Sequence, residues 1–561
     1  MPCLDLPPYD VVVFVLDDLR VDQLQILEQT LQRLEPEAVS FERSYVTTPM
    51  CCPERASFLS GGWLPQNTGV LTNEAPMGGA TVFFDERTMA TRLESAGYTT
   101  ALIGKYLNEY NELGLYVPPG WTDWAATIGE YGWVDFDAIV GSSTPDAPAE
   151  ASLEPHDGYI TDWHGEKAIS VWESSVDRPL FLYLSFHAPH DPHLPAAQDR
   201  GSFADFTFRG GAYEEQDLSD KPAWMQQIPL LSAEEQAEAD AVVRQRQQTL
   251  LAVDRAMAGL IDAVRASPRA DRTVFVLTSD NGMMWREHRL DAKGVAYEES
   301  VRVPLLIAHP DLSPAAIDGL VAMNLDLAAT VQALAGLPIE GDGQSLLPML
   351  CEGADSARDA VFLQGWGSAH GAWSAVVTAT DKLIEGDDGS VELYDLIADP
   401  YELESQHGDL VQRERIRELS ARLAEARGLS LGDTGLPGAR VGSPYHHALS
   451  PPGGEAPITW LAMEELPPGL SLSVDGVIEG TPTEAGEFSV AVQATDASVS
   501  PVHGGPQVVV GHLRLRVLAA EPERCGCGDG RAGVLGLLLG IFRRNGRRGP
   551  RVGAAGGLRP V

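Results

Sequence analysis

Four short apolar runs, each ending in polar or charged residues, constrain this chain more than any other feature. VVVFVL (11–16) leads at once into Asp17 and Asp18, and FLYLSF (181–186) into His187, His190 and His193. TVFVLTS (273–279) leads into Asp280 and Asn281, and YTTALIG (98–104) into Lys105. Continuous β-branched runs of this length suit strands buried on both faces of a parallel sheet. Between them lie helical patterns: Leu250, Val253, Met257, Leu260, Ile261 and Val264 recur at spacings of three and four just ahead of the third run. The alternation predicts an α/β fold, a mostly parallel sheet flanked by helices. Open α/β sheets gather ligand groups at the carboxyl ends of their strands, where all four polar clusters fall.

At 561 residues the chain exceeds the size at which one core keeps growing, so more than one domain is expected. Acidic residues outnumber basic ones by 80 to 40, and the formal charge of −40 argues against nucleic-acid partners, whose phosphates are gripped by surplus Lys and Arg. The same field repels long polyanions unless local cations overcome it. Six cysteines lie without the spacing of a disulfide framework, and two of them, Cys51 and Cys52, are adjacent. A bridge between neighbours is strained, and zinc lacks further ligands nearby. Two buried thiols is the bland alternative to chemistry.

Each polar cluster has a modest explanation as a turn, a helix cap or a proline-stiffened loop. Their conjunction points further. Asp17, Asp18, Asp280 and Asn281 arriving from two strands make an oxygen-rich pocket suited to calcium or magnesium. Without a cation those carboxylates would repel one another. Arg55, Lys105, Lys293 and His190 are candidate cations around the pocket, and such a ring suits a tetrahedral oxyanion.

On these residues the sequence resembles the type I sulfatases of the alkaline phosphatase superfamily. Their C-x-P-x-R signature is met by Cys51, Pro53 and Arg55, closed by SFLSG, and spacing selects Cys51 over Cys52. Glu54 stands where serine is common in that family. The resemblance implies that a formylglycine-generating enzyme oxidises Cys51 to formylglycine. It further implies that Asp17, Asp18, Asp280, Asn281 and residue 51 hold a metal, calcium with magnesium as the alternative. Arg55, Lys105, His190 and Lys293 would then be catalytic. LYDLIADPYELES (393–405) resembles the motif closing the family's C-terminal subdomain. Many arylsulfatases carry a histidine base where this chain has Leu107; His187 and His193 are the alternatives. GKYLNEY, TTPMCC and PPGW resemble the N-acetylglucosamine-6-sulfatase and heparan sulfatase branch, which implies a carbohydrate 6-O-sulfate as substrate. No basic segment for gripping heparan is present, so an exo-acting or small-substrate enzyme is expected. Asn73, Glu74, His187, Trp121 and Trp124 are candidates for the substrate side, with core packing as the alternative for the tryptophans. A phosphodiesterase or phosphonate monoester hydrolase of the same superfamily, and a non-catalytic surface binding protein, are the competing readings.

The expected divisions are a catalytic core over 1–310, a C-terminal subdomain over 311–430, a Gly/Pro/Ser-rich linker over 431–451 and an all-β module over 452–518. The module resembles bacterial immunoglobulin-like domains of secreted proteins, read here as a spacer. Residues 519–561 join Cys525, Cys527, a short apolar segment and an arginine cluster. They resemble the C-terminal sorting signals of myxobacterial surface proteins, and so imply surface anchoring. No secretory leader precedes the first strand; a secreted or cell-surface location with a start upstream of Met1 is the expectation.

Overall fold

The computed structural model describes residues 8–520, apart from 130–132, 146, 367–370, 427–428, 430–435, 452 and 503. Ten strands form one mixed sheet. In spatial order they are Ala315–Ala322, Ala38–Tyr45, Leu305–Ala308, Thr273–Ser279, Asp10–Leu16, Leu180–Ser185, Thr99–Gly104, Trp121–Ile128, Val134–Thr144 and Ala147–Tyr159. The four apolar runs are thus neighbours at its centre, and they pair in parallel. Leu16 lies beside Ser279, Val15 beside Ser185, and Ser185 beside Gly104. One register therefore brings all four polar clusters out at the same height along one edge.

Alternation along the central strand divides the core in two. Val11, Val13 and Val15 join Cys52, Ala56, Phe58 and Leu59 on one face. Val12, Phe14 and Leu16 join Leu250, Val253, Met257, Leu260 and Ile261 of the long helix Ala233–Arg265 on the other. That helix opens on a capping box, Ser232 with Glu235, which satisfies its first free N–H groups.

The expected boundary at residue 310 cuts through the main sheet's domain: Ala315–Ala322 pairs in parallel with Ala38–Tyr45, and Met323–Leu334 packs against the helix Cys51–Leu59. A separate antiparallel sheet then follows, Ala360–Gly365, Trp373–Thr378, Asp381–Gly386 and Val391–Asp395, covered by Leu419 and Leu423 of the helix Arg413–Ala426. The expected linker over 431–451 is in part structural. Its Ala439–Arg440 pairs with Val508–Leu518 and its Tyr445–Ala448 with Val477–Gly480, so both belong to a two-sheet β-sandwich. Residues 521–561, which hold most of the expected sorting tail, lie outside the described residues. Among the described residues no helix is long and apolar enough to cross a membrane.

Gly104 shows how closely the strand ends are packed. Its φ is +99°, and a Cβ there would sit 1.8 Å from the Ser185 carbonyl oxygen. Gly104→Ala should cost about 3 kcal/mol in a urea titration through overpacking and strain. Gly259→Ala, whose Cβ would make only an ordinary contact at 3.8 Å with Ile169, should instead gain about 0.5–1 kcal/mol.

Candidate active site

Cys51 is the first residue of the helix Cys51–Leu59, at the carboxyl edge of the central strands. Its capping position is Met50, which has no side chain able to satisfy the helix's first N–H groups. Asn73 does this from a neighbouring loop: its carboxamide oxygen accepts the Cys52 N–H at 2.9 Å. Asn73 was expected on the substrate side; the oxygen is already committed to the helix. Cys52 points into the core with Ala56 and Leu59, and burial pushes its thiol up to about 12, which makes it an inert packing residue.

Cys51 faces the other way. Its thiol donates to Asp17 Oδ1 at 3.4 Å, and Lys293 Nζ lies 2.8 Å from its sulfur. Lys293 is also paired with Asp18, and Lys105 with Asp17. The His190 ring, the Asp17 carboxylate and the Cys51 sulfur each offer a ligand atom within 4.8 Å of the others. His190 Nδ1 lies 2.8 Å from an Asp191 carboxylate oxygen.

Behind these residues Arg55 is completely buried. Its Nε and one terminal nitrogen each lie 2.9 Å from Asp280 Oδ2, and its other terminal nitrogen donates to Ser185 Oγ at 2.5 Å and to the Lys105 carbonyl at 3.3 Å. Planar donors fanned across three strand ends use the guanidinium's rigid fork, which lysine lacks. Asp18 closes the group in a left-handed conformation, φ 74°, that a non-glycine residue adopts only when its surroundings hold it there. Its N–H donates to Asp280 Oδ1 at 3.1 Å, and Asn281 Nδ2 donates to its carboxylate at 2.6 Å.

The electrostatics follow from burial and crowding. Burial alone would raise the Asp17 carboxyl; Lys105, His190, Lys293 and Arg55 outweigh it and hold it well below the usual range. Asp280 is raised, by burial first and then by the charge of Asp17. The ammonium of Lys293 is held well above its ordinary value, because Asp18, Cys51 and Asp17 outweigh its burial.

The donor set fits a hard divalent cation. Asp17, Asp18 and Asp280 bring carboxylate oxygens within 4.8 Å of one another in a fully buried pocket, and the Asn281 carboxamide oxygen is buried there with no hydrogen-bond partner among the described residues. The oxygen donors of Asp17, Asp18, Asp280 and Asn281 favour calcium or magnesium over zinc.

Arg246, on the long helix, escaped the sequence reading. Its guanidinium is buried 3.5 Å from Asp18 Oδ2, with two nitrogens lacking a hydrogen-bond partner among the described residues. It falls four residues before Leu250 on the helix's apolar stripe, and a charge on such a stripe is the signal that marks it.

A cleft of about 440 Å³ opens beside Lys105 and His190, walled by Leu107, Asn108, Glu109, Asp137 and His187 among others. Trp121 does not line it. Its indole is 2% exposed, stacked on Phe181 and packed against Trp124, whose Nε1 donates to the Tyr110 hydroxyl. Both tryptophans are core residues. His187 does reach the cleft wall, its Nε2 2.7 Å from the Thr127 hydroxyl. Burial, His164 and Lys105 push its imidazole well below the ordinary value, so it is neutral. Burial likewise takes His193 down to about 4, and its Nδ1 sits 3.0 Å from the Pro189 carbonyl. Leu107 is 4% exposed and packs in the core.

The Sulfatase family model matches residues 9–337, more than half of the chain, and the chain belongs to that family. A model of the N-sulphoglucosamine sulphohydrolase C-terminal region matches residues 286–428, and the He_PIG Ig-domain model matches residues 429–503. The extracellular sulfatase SULF-1 homolog of Drosophila melanogaster is 30% identical over 364 residues, 62% of this chain and 32% of that protein. This chain therefore spans about a third of that relative's length. The N-acetylglucosamine-6-O-sulfatase of Bacteroides thetaiotaomicron is 27% identical over 472 residues, 71% of this chain and 81% of that protein. The fold matches that of a protein solved in complex with its substrate D-glucosamine-2-N,6-O-disulfate at a TM-score of 0.65, with 22% identity over 75% of this chain and 97% of that one.

His164 makes the fold sensitive to acid. It is fully buried beside Phe186 and His187, with both ring nitrogens unpartnered among the described residues, and burial pushes its imidazole down to about 3. The folded value lies below that of the unfolded chain, ~6.5, so this group's contribution to stability is whole above ~6.5 and is lost as pH falls toward its folded value. His164→Phe cannot titrate. Its melting temperature should fall less than the wild type's between about pH 7.5 and about pH 5.

Proposed function

We propose that the chain hydrolyses a sulfate ester on a carbohydrate, the 6-O-sulfate of a glucosamine unit such as N-acetylglucosamine. The observation that carries the reading is the position of Cys51. Its sulfur stands at a helix start between a carboxylate and an ammonium, beside three clustered carboxylates and a cleft of sugar-accommodating size. The Bacteroides thetaiotaomicron relative's name supports the choice of sulfated sugar.

Asp17, Asp18, Asp280 and Asn281 would hold the divalent cation, calcium by preference, which supplies positive charge that acidifies a nucleophilic hydroxyl and offsets charge on the sulfuryl group. Formylglycine made from Cys51 would supply, as its hydrate, two hydroxyls on one carbon, one suited to attack at sulfur and one whose deprotonation would allow sulfate to leave. The other residues act around that atom. Lys293, held by Asp18 and reaching residue 51, and Lys105, held by Asp17, present ammonium groups to the sulfuryl oxygens, and His190 adds a third donor. Arg55 makes no approach to the cleft; locked on Asp280 and Ser185, it sets the angle of the helix carrying residue 51. His187 takes the role of base that Leu107 cannot fill: it is neutral, it lies on the cleft wall, and the Thr127 hydroxyl orients its ring.

Assays on glucosamine 6-sulfate, N-acetylglucosamine 6-sulfate, an aryl sulfate and a phosphonate monoester test the reading. The 6-sulfated sugars should be turned over best, and a preference for the phosphonate would overturn it. Cys51→Ala should lower kcat by at least about 10³-fold while Cys52→Ala retains activity. An unmodified thiol at Cys51 in protein from the native host, read by mass spectrometry, would favour a non-catalytic binding protein. His187→Gln should lower kcat by about 10²-fold with KM little changed; a change in KM alone would reassign His187 to substrate binding.

A further inference from the structure

The β-sandwich over 439–518 does not stand apart from the catalytic core. Leu71, of the loop after the short helix Pro65–Thr68, is 3% exposed in one apolar cluster with Trp460, Ile478 and Val509 of the sandwich, and Met77 packs on the same cluster. Two polar contacts reinforce this. Ser500 Oγ donates to the Asn67 carbonyl at 2.5 Å, and the Val510 N–H donates to Met77 Sδ at 2.9 Å. The loop's neck is closed by the Leu71 and Thr72 N–H groups, both donating to the Met77 carbonyl.

The other side of this loop touches the site. Asn73 Oδ1 caps the helix of Cys51 through the Cys52 N–H. The Ala75 N–H donates to Glu109 Oε2 at 3.0 Å, and the Ala80 N–H to the Asn108 carbonyl at 2.8 Å; Asn108 and Glu109 are walls of the cleft. A Cβ on Gly79 would come within 2.3 Å of Glu109 Oε2, so loop and wall are in close contact. One segment of about a dozen residues is thus gripped by the sandwich on one face and holds the nucleophile's helix and the cleft wall on the other.

We propose that the immunoglobulin-like module is part of the active-site scaffold: by clasping the loop at Asn67, Leu71 and Met77 it holds Asn73 against the first turn of the helix bearing Cys51, and Glu109 against the cleft. Asn73, Met77 and Ser500 are positioning residues. Met50 cannot cap the helix, so the Cys52 N–H depends on Asn73 for its partner. Asn73 in turn sits on a loop whose apolar anchors find their burial in the module. The importance of this geometry rests on the proposed function, but the geometry itself can be tested without turnover.

Amide hydrogen exchange of the full-length chain, followed by mass spectrometry, reads the coupling directly. In the wild type the peptide containing Cys52 should be protected. Ser500→Ala combined with Met77→Ala should speed its exchange, and that of the 105–112 segment, about tenfold, while strands of the central sheet stay unchanged. Asn73→Ala should produce the same local rise, and Asn73→Asp, which retains an acceptor, should restore protection. Adding Met77→Ala to Asn73→Ala should add nothing further at Cys52, because the two act in series. Unchanged exchange at Cys52, or a uniform rise across all peptides, would overturn the proposal and return the module to a spacer. Should the Met77 variant not fold, Ser500→Ala alone decides by the same criterion. A wild type that turns over no sulfate ester but shows the local coupling would sink the proposed function and leave this inference standing.

Discussion

The contact between Arg55 and Asp280 is the constraint on which the rest of the site depends. Both groups are completely removed from water, and burying either alone would cost several kcal/mol. The pair is tolerable because further hydrogen bonds are directed at it: Ser185 and the Lys105 carbonyl accept from Arg55, and the Asp18 N–H donates to Asp280. Together with Asp280, those partners come from four different strand ends. A shift of one strand by a single register step would leave a buried charge unpaired, so the network specifies the alignment of the sheet as much as the sheet supplies the network.

Around that pair the molecule concentrates its cations. On a chain with formal charge −40, Arg55, Lys105, Lys293 and Arg246 converge on a pocket only a few ångströms across. The cleft beside it has Glu109, Glu112, Asp137 and Asp191 in its walls. Attraction for an anionic group is therefore local, and the field beyond the pocket opposes an extended polyanion. This pattern is in keeping with the small sulfated sugar proposed above.

Much of this was legible in the sequence for a definable reason. The strands were visible because burial on both faces makes them nearly continuous apolar runs, and Asp17, Asp18, Lys105, Asp280 and Asn281 were visible because they follow those runs directly. Cys51 stood out from Cys52 through spacing to Pro53 and Arg55, and helix geometry turns that spacing into opposite directions, one sulfur toward Lys293 and the other into the core. The misses share a different cause. Trp121 was placed with the substrate because aromatic residues serve both core and sugar binding, and only its packing on Phe181 decides between them. Asn73 lies in a loop with no periodicity, so its capping role depends on where that loop folds back. Arg246 lies more than two hundred residues from Asp18 in the chain. The boundary at 310 failed because a strand that returns to the sheet after a crossover leaves no local mark of its partner.

The sequence by itself determined the class of fold, the edge at which chemistry gathers, and the residue types present there, since these follow from runs, periods and spacings within a few positions. Tertiary structure alone decided which charges neutralise one another, which aromatic rings are core, and that the β-sandwich grips the loop capping the Cys51 helix. Those outcomes depend on distances between segments far apart in the chain. No local pattern encodes them, because a side chain's partners are set by the packing of the whole.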